Sequence, residues 1–252
     1  MTLEGRVALV TGGGRGIGKA IALGLAEDGA DVAINYRKDE AAAAETAKEI
    51  AALGRRGAAY AGSVEEYEHC EELVRAVLAE FGQIDILVNN AGIASRGQSV
   101  ADTDPKEMER VYNTHAFGAW ACSKLVLPSM RSLDRGDIVM ISSAATLNYA
   151  GWSAPYNMAK AALEALALTL AKEERRNGIH VNIVAPGLVD TEMGRRLVKG
   201  AMGVTDIRTM DKGAAFGHVC TPEEVADAVR FLVSERASYV TGQRVGVDGG
   251  AF

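Results

Sequence analysis

The sequence is poor in the residues that build disulfide frameworks and metal centres. It contains three cysteines, Cys70, Cys122 and Cys220, which lie far apart and form no Cys-x-x-Cys pair. That spacing argues against a disulfide framework or a zinc site. The four histidines are equally scattered, so a metal centre is not expected. The cysteine usage suits a reducing compartment, and we expect a cytoplasmic protein.

An excess of basic charge is also missing. The 27 Lys and Arg residues are outnumbered by 33 Asp and Glu residues, which gives a formal net charge of -6. Because polyanion binding needs a positive field, nucleic acid is not expected as a partner. No apolar run approaches the roughly 18 residues of a membrane span. The N-terminus lacks the basic start and apolar stretch of a signal peptide, so we expect no membrane attachment.

What the sequence does contain is a regular alternation of short apolar runs and longer segments with helical periodicity. Continuous apolar runs are typical of parallel strands buried on both faces of a sheet. With five prolines and no charged linker, the pattern predicts one doubly wound α/β domain over residues 1–252. The strand candidates are Val7–Val10, Val32–Tyr36, Gly57–Tyr60, Ile84–Val88, Ile138–Ile141, His180–Val184 and Arg244–Val247. The helix candidates are Gly18–Asp28, Glu40–Leu53, Glu65–Phe81, Pro105–Arg131, Pro155–Asn177 and Pro222–Val233.

The segment Gly187–Gly217 matches neither pattern. It carries Met193, Met202 and Met210 among glycines and mixed charges. A long irregular insertion in a compact domain is usually a functional lid or a mobile loop. We therefore predict a mobile substrate lid at residues 187–217.

A glycine-rich turn follows the first predicted strand directly. It reads Thr11-Gly12-Gly13-Gly14-Arg15-Gly16-Ile17-Gly18, and the first helical pattern begins within it. Glycines permit a tight turn and a close backbone approach, and a helix N-terminus offers free N–H groups to a pyrophosphate. Such a turn also occurs as a purely structural connection. Its position between the first strand and the first helix is what favours a dinucleotide site.

The end of the second strand indicates which dinucleotide is preferred. A carboxylate there would accept the ribose hydroxyls of NAD and repel a 2′-phosphate, but the strand ends Asn35-Tyr36-Arg37. Arg37 and Arg15 could hold a phosphate by charge-assisted hydrogen bonds. Both could instead be solvated surface arginines, and the nearby Asp39 and Glu40 weaken the case. The pattern favours NADP(H) over NAD(H).

Tyr156 and Lys160 are four residues apart in a predicted helix, which places their side chains on one face. An ammonium beside a phenol lowers the phenol pKa from about 10 toward the working pH, where it can exchange a proton with an alcohol or ketone oxygen. Ser143 follows a predicted strand and could hydrogen-bond the same oxygen, because ligands of open α/β sheets bind at the carboxyl ends of strands. Taken singly, each of these residues is usually an ordinary surface or core-edge group.

Together the motifs resemble those of the short-chain dehydrogenase/reductase family. In chain order they are Thr11-Gly12-x-x-x-Gly16-x-Gly18, Asn89-Asn90-Ala91-Gly92, Asn113, Ser143, Tyr156-x-x-x-Lys160 and Pro186-Gly187. The match covers essentially the whole chain. The resemblance implies a Rossmann-like domain with a seven-stranded parallel sheet, usually a homotetramer. It also implies hydride transfer between a nicotinamide and a carbonyl or secondary alcohol.

The resemblance assigns roles to individual residues. Tyr156 would be the general acid in reduction and the base in oxidation, with Lys160 lowering its pKa and binding the nicotinamide ribose. Ser143 would orient and polarise the carbonyl, and Asn113 would hold a water through its backbone in a locally disturbed helix. Ser63 stands where many members have Asp, so that adenine contact would be a hydroxyl or would be absent. The implied cofactor-binding residues are Gly12, Arg15, Gly16, Ile17, Gly18, Arg37, Ser63, Val64, Asn90, Ala91, Gly92, Tyr156, Lys160, Pro186, Gly187, Val189 and Thr191.

The substrate must be chosen by the pocket, because the cofactor supplies the hydride. Large apolar residues near the catalytic candidates, such as Leu147 and Trp152, favour a hydrophobic carbonyl compound. They could equally pack the rim of the site. The predicted substrate contacts are Ser143, Trp152 and Tyr156.

Two other functions remain open. Chains of this length also resemble 3-oxoacyl-[acyl-carrier-protein] reductases, whose acidic partner would need a basic patch. The candidates for that patch are Arg131, Arg135, Lys172, Arg175 and Arg176. Asn177 stands where those reductases often have a basic residue. A non-catalytic cofactor-sensing protein is the third possibility, although Tyr156 and Lys160 are both present.

Overall fold

Parallel strands form the centre of the protein, whose computed structural model describes residues 2–251. The strands are β1 (Val7–Val10), β2 (Asp31–Tyr36), β3 (Gly57–Ala61), β4 (Ile86–Asn89), β5 (Gly136–Ile141), β6 (Ile179–Pro186) and β7 (Arg244–Val247). Within the described residues they make one seven-stranded sheet of order β3-β2-β1-β4-β5-β6-β7. The order reverses between β1 and β4, which opens a crevice at the carboxyl ends of these strands. The predicted seven-stranded Rossmann-like sheet is confirmed.

Helices connect the strands and cover both faces of the sheet. They are α1 (Gly16–Glu27), α2 (Glu40–Ala52), α3 (Tyr67–Phe81), α4 (Pro105–Tyr112), α5 (Gly118–Met130), α6 (Ala145–Asn148), α7 (Ala154–Glu174), α8 (Glu192–Met202) and α9 (Pro222–Leu232). Side chains of α3, α5 and α7 bury one face, and those of α1, α2 and α9 bury the other. Every residue of β1, β4 and β5 is buried, which explains why these strands are continuous apolar runs.

Two predicted segments are built differently from the expectation. The predicted helix Pro105–Arg131 is interrupted by a π-helical turn at Asn113–Phe117 between α4 and α5. The segment Gly187–Gly217 is not irregular, because it contains the eleven-residue helix α8 and two short 3₁₀ turns. Helix interiors disfavour glycine, and α8 contains Gly194 and Gly200. Its apolar and polar residues are nevertheless strongly segregated around the helix, so the helical pattern was present in the sequence and the prediction of an irregular segment was wrong.

The described residues contain neither a membrane-spanning helix nor a cluster of metal ligands. Within residues 2–251, the helices are too short or too polar to traverse a bilayer. The same residues contain no group of three or more His, Cys, Asp or Glu side chains arranged to hold a metal ion. The three cysteines are free thiols.

Candidate active site

The glycine-rich turn packs more closely than any side chain would allow. Gly12 and Gly16 have φ angles of +65° and +53°, in the left-handed region that favours glycine. A Cβ atom at Gly18 would lie 2.3 Å from the carbonyl oxygen of Gly12, which is an impossible contact. The sequence therefore has glycine where the backbone must turn tightly into α1.

The first turn of α1 is open to an anion. Arg15 is the N-cap residue in an extended conformation, and its side chain does not cap the helix. The first turn also contains no acidic residue. By contrast, Asp39, Asp104 and Thr221 cap α2, α4 and α9 through their side chains. The backbone N–H groups of α1 thus lack side-chain acceptors, and this fits the pyrophosphate of a dinucleotide.

The loop after β4 is fastened to the glycine-rich turn. Thr11 Oγ1 accepts hydrogen bonds from the backbone N–H groups of Asn90 and Ala91, both at 3.0 Å. The Asn90 side chain donates in return to the carbonyl oxygen of Thr11 at 2.8 Å. A Cβ atom at Gly92 would lie 2.7 Å from the His115 ring. The loop that the family resemblance places beside the cofactor is therefore held at the switch point of the sheet.

The end of β6 approaches the same turn from the other side. Pro186 is the last residue of β6, and the Gly187 N–H donates to Val247 in β7 at 3.0 Å. Val189 is buried, and its backbone pairs with that of Cys220 in an isolated parallel β-bridge. Thr191 caps α8 by accepting from Gly194 N–H at 3.0 Å, and its methyl carbon lies 3.4 Å from the Cβ position of Gly16.

The two arginines predicted to bind a 2′-phosphate are each paired with a carboxylate. Arg37 lies 2.8 Å from Glu65, and Arg15 lies 2.8 Å from Glu192 at the start of α8. Their side chains are 39% and 65% exposed, so both can be reached from solvent. Any phosphate bound there must compete with these two carboxylates for the guanidinium groups.

The residues predicted to contact adenine, Ser63 and Val64, lie in the loop after β3. Ser63 Oγ accepts a long hydrogen bond from the Glu65 N–H at 3.4 Å. Val64 is buried, and its carbonyl oxygen lies 2.7 Å from the Cβ position of Gly118 in α5. Ile17, in the first turn of α1, packs against the edge of the hydrophobic core.

Ser143, Tyr156 and Lys160 converge beyond the carboxyl end of β5. Ser143 follows the strand by two residues, while Tyr156 and Lys160 lie one turn apart on α7. The Ser143 hydroxyl is close enough to the phenol of Tyr156 to lower its pKa, and Ser143 Oγ accepts a hydrogen bond from the Ala145 N–H at 3.2 Å. Lys160 is buried, donates to the carbonyl oxygen of Ile141 at 2.6 Å, and has its Nζ 5.7 Å from the Tyr156 ring centre. The three predicted catalytic side chains thus occupy one site.

The pKa of Tyr156 differs from the sequence prediction, in which Lys160 lowers it. Burial raises the pKa of Tyr156, and the hydrogen bond from Ser143 lowers it by a smaller amount. Lys160 lies over the ring and contacts Ile141, so in this arrangement it does not bring the phenol pKa below its ordinary value. Burial lowers the pKa of Lys160 to about 7, opposed by the nearby Glu164 carboxylate. Tyr156 is therefore a phenol, and Lys160 titrates near neutral pH.

Asn113 begins the π-helical turn and lies half-buried. Its carbonyl oxygen accepts from the N–H of Gly118, five residues on. A carbonyl oxygen has a second lone pair, which leaves capacity for a water. The wider turn is the local disturbance that the family resemblance implies at this position.

The predicted substrate residue Trp152 lies between α6 and α7, four residues before Tyr156. Its side chain is 69% exposed and its φ angle is +58°, a strained value for a bulky residue. Tyr149, three residues earlier, is also exposed with a φ angle of +47°. These side chains are held outward rather than packed into a rim.

Known proteins match this chain along almost its whole length. Residues 12–251 match the family described as enoyl-(acyl carrier protein) reductase. The chain is 37% identical to the 3-oxoacyl-[acyl-carrier-protein] reductase of Synechocystis sp., over 98% of this chain and 97% of that protein. It is 36% identical to versicolorin reductase 1 of Aspergillus parasiticus, over 99% and 97%. A short-chain dehydrogenase of Burkholderia cenocepacia in complex with NADP has a TM-score of 0.90 and 35% identity, with 100% and 99% covered.

The chain belongs to the short-chain dehydrogenase/reductase family. It is accordingly an oxidoreductase that acts on CH–OH groups. The names of its short-chain dehydrogenase/reductase relatives refer to different substrates at similar identities. Family membership therefore fixes the chemistry more firmly than the substrate.

Three residues of this short-chain dehydrogenase/reductase site were missed by sequence reasoning. His115 packs edge-on against Tyr156, with ring centres 5.3 Å apart, and its Nε2 lies 2.8 Å from the carbonyl oxygen of Ile93. Burial lowers the pKa of His115 to about 3, so its ring is neutral. Glu164 and Arg244 form an ion pair behind Ser143. The helical spacing of Glu164 from Lys160 was visible in the sequence, whereas the contact with Arg244 needed the fold.

Proposed function

We propose that this enzyme is an NADP(H)-dependent oxidoreductase that interconverts a ketone and a secondary alcohol, with Tyr156 as the general acid and base. The observation that carries the proposal is the convergence of Ser143, Tyr156 and Lys160 at the carboxyl end of β5, the same end of the parallel sheet as the glycine-rich turn. A nucleotide on the α1 N-terminus would extend along the sheet edge toward these three side chains. NADP(H), when bound, supplies or accepts the hydride.

The protein's own contribution is the transfer of one proton at the phenol of Tyr156. Because burial raises the pKa of Tyr156, the phenol is protonated at neutral pH. That is the form able to donate a proton to the oxygen of a ketone as it becomes an alkoxide. Ser143 orients the ketone oxygen, and the ammonium of Lys160 stabilises the tyrosinate left behind. Alcohol oxidation needs the tyrosinate from the start, so it becomes faster at alkaline pH.

Preference for NADP(H) is supported by the strand-end Arg37 and the turn residue Arg15. Neither is buried, and their carboxylate partners come from separate elements. Relatives in this family bind NADP or NADPH in complexes of known structure. A 2′-phosphate carries more negative charge than either single carboxylate and makes bidentate contacts with a guanidinium.

A small hydrophobic carbonyl compound is the proposed substrate class. Large apolar side chains are exposed in the two segments that follow β5 and β6, and an exposed apolar group of this kind marks a ligand or partner site. They are Leu147, Tyr149 and Trp152 after β5, and Met193, Leu197 and Phe216 in the predicted lid. We propose that residues 187–217 close over the substrate as this lid.

Reduction of a 3-oxoacyl thioester is the second candidate, favoured by the relatives with that name. The basic patch that a carrier protein would need is partly neutralised. Arg131 forms a bidentate pair with the buried Glu174, and Arg135 does so with the buried Asp137. Asn177 donates to Glu174 rather than adding charge. These contacts favour the free ketone over the carrier-bound thioester.

The proposed assembly is a homotetramer in the cytoplasm. Aromatic and aliphatic side chains lie exposed on the outer faces of α4, α5 and α7, including Tyr112, Trp120 and Leu168. Such exposure exceeds what one core-facing helix stripe requires. Sedimentation of a monomer at micromolar concentration would contradict this proposal.

The deciding experiment measures NADPH consumption with acetoacetyl thioesters, small ketones and bulky hydrophobic ketones. Tyr156→Phe is the test variant, and it should lose at least about a hundredfold in kcat while keeping NADPH binding. Tight NADPH binding without turnover on any substrate would favour the non-catalytic sensing role. Unchanged KM values in Trp152→Ala across short and bulky ketones would exclude Trp152 from the substrate site.

A further inference from the structure

A group of polar side chains lies behind the strand end that carries Ser143. Glu164 Oε1 accepts hydrogen bonds from Ser142 Oγ at 2.5 Å and from Arg244 Nε at 3.2 Å. Arg244 also donates through Nη2 to the carbonyl oxygen of Ser143 at 3.2 Å. The Glu164 and Arg244 side chains are 17% and 24% exposed, so water screens this pair only partly.

The same pair reaches the residues that follow Ser143. Thr146 Oγ1, at the start of the next helical turn, lies 2.8 Å from Glu164 Oε1 and accepts from Arg244 Nη2 at 3.1 Å. The segment from Ser142 to Thr146 is therefore fixed before, at and after Ser143. This leaves the Ser143 hydroxyl aimed at Tyr156.

Glu164 also lies one helical turn beyond Lys160 on α7. Its carboxylate raises the pKa of Lys160 against the stronger lowering by burial. The other titratable groups facing Lys160 are Tyr156 on the same helix and His115 on the π-helical turn, and His115 is neutral. Among these groups Glu164 supplies the negative charge.

We propose that Glu164 and Arg244 are positioning residues, in which Arg244 fixes the backbone of Ser143 and Glu164 keeps Lys160 protonated beside Tyr156. The inference rests on the proposed function, because both residues act through Ser143, Tyr156 and Lys160. Neither residue touches the reacting atoms. The Glu164 carboxylate raises the pKa of Lys160, and Arg244 opposes that effect by pairing with the carboxylate. Loss of either side chain should therefore shift the titration of Lys160 in opposite directions, which loss of a merely structural pair would not do.

The first test is the pH dependence of Glu164→Gln, which keeps the shape of the side chain and removes its charge. Reduction of ethyl acetoacetate with NADPH is followed from pH 5 to pH 9, the range in which Lys160 titrates. Without the carboxylate Lys160 loses its proton at lower pH, and the tyrosinate left after proton transfer then lacks a neighbouring cation. The pH at which kcat is half-maximal should fall by about one unit, while KM changes less than twofold.

The second test uses Arg244→Gln, which removes the cation and leaves Glu164 without its ion-pair partner. Here kcat should fall because the Ser143 carbonyl loses a donor, and the half-maximal pH should rise rather than fall. NADPH titration by fluorescence gives a readout without turnover. The wild-type Kd should rise as Lys160 loses its proton, and this rise should begin at lower pH in Glu164→Gln.

Glu173→Gln is the matched control, since Glu173 is an exposed acid on the same helix. It should leave both pH profiles unchanged. A half-maximal pH that stays unmoved in Glu164→Gln, with wild-type thermal stability, overturns the inference while Tyr156→Phe remains inactive. Turnover retained by Tyr156→Phe would instead refute the proposed function. Should Glu164→Gln not fold, a half-maximal pH in Arg244→Gln that is unchanged or lowered overturns the inference alone.

Discussion

Lys160 is buried, and the free-energy cost of burying its ammonium group depends on pH. Its side chain is 4% exposed, and burial lowers its pKa from 10.5 to about 7. The unfolded chain therefore binds more protons than the folded chain between these two pH values, and wild-type stability rises with pH across this window. Below about pH 7 both states are protonated and the full penalty of burying the charge is present.

Replacing Lys160 by Met should reveal this penalty. The difference in Tm, variant minus wild type, should grow as the pH is lowered from 10 to 6, because the charged ammonium no longer has to be buried. Thermal unfolding followed by circular dichroism measures the difference. Lys172→Met on the exposed side of α7 is the control and should show no such trend. A constant Tm difference for Lys160→Met would show that the pKa of Lys160 is the same in the folded and unfolded chains.

Arg37 gives a second prediction for a single residue. Its guanidinium is held by Glu65, which also accepts a hydrogen bond from Thr114 at 2.8 Å. Glu65→Gln removes the competing charge and should tighten NADPH binding by up to about fivefold, the worth of one partly exposed ion pair. NADH binding should not change. Glu66→Gln, at the exposed neighbouring position, is the control, and an equal effect on both cofactors would contradict a 2′-phosphate at Arg37.

At the scale of elements, replacing a glycine by alanine should have opposite effects on stability in α5 and α8. A Cβ atom at Gly118 in α5 would lie 2.7 Å from the carbonyl oxygen of Val64, whereas one at Gly200 in α8 would meet nothing within 4 Å. Gly118→Ala should therefore destabilise the protein by about 1–3 kcal/mol through overpacking. Gly200→Ala should stabilise it by about 0.5–1 kcal/mol, because alanine suits a helix interior better. Urea unfolding of the two variants measures both signs, and equal signs would refute the argument.

The elements differ in how closely their bounds can be predicted from the sequence, for physical reasons. The bounds of β1 were predicted to the residue, because a parallel strand buried by helices is a short run of apolar side chains. The bounds of β7 were also correct, although its residues are only partly buried or exposed. The π-helical turn could not be seen in the periodicity of residues 105–131, since one extra residue per turn shifts the pattern only locally. It was anticipated only through the family resemblance at Asn113.

The candidate site shows the same limit. Tyr156 and Lys160 are neighbours on one helix, so their spacing alone brings them together. Glu164 and Arg244 are 80 residues apart in sequence, and only the pairing of β6 with β7 brings Arg244 behind Ser143. The pKa of Tyr156 likewise depends on burial in the fold, which no local motif encodes.

In the whole molecule, the candidate catalytic residues lie at the carboxyl ends of the strands, and a group of stabilising ion pairs lies at the amino ends. The carboxyl ends of β1, β4, β5 and β6 lead into the glycine-rich turn, the Asn90 loop, Ser143 and Gly187. The amino ends carry a network of charges instead. Buried Asp137, at the start of β5, pairs with Arg6 at 2.7 Å and with Arg135 at 2.9 Å.

This separation makes Asp137→Asn a test of the architecture. Removing the carboxylate leaves two guanidinium groups with less compensation in a largely buried site, which should destabilise the fold by about 3 kcal/mol. Because the change lies at the edge away from Ser143 and Tyr156, kcat at temperatures below unfolding should stay within about twofold of wild type. Chemical denaturation and steady-state kinetics on the same sample measure both quantities. A large loss of kcat in a folded Asp137→Asn protein would show that the two edges of the sheet are energetically coupled.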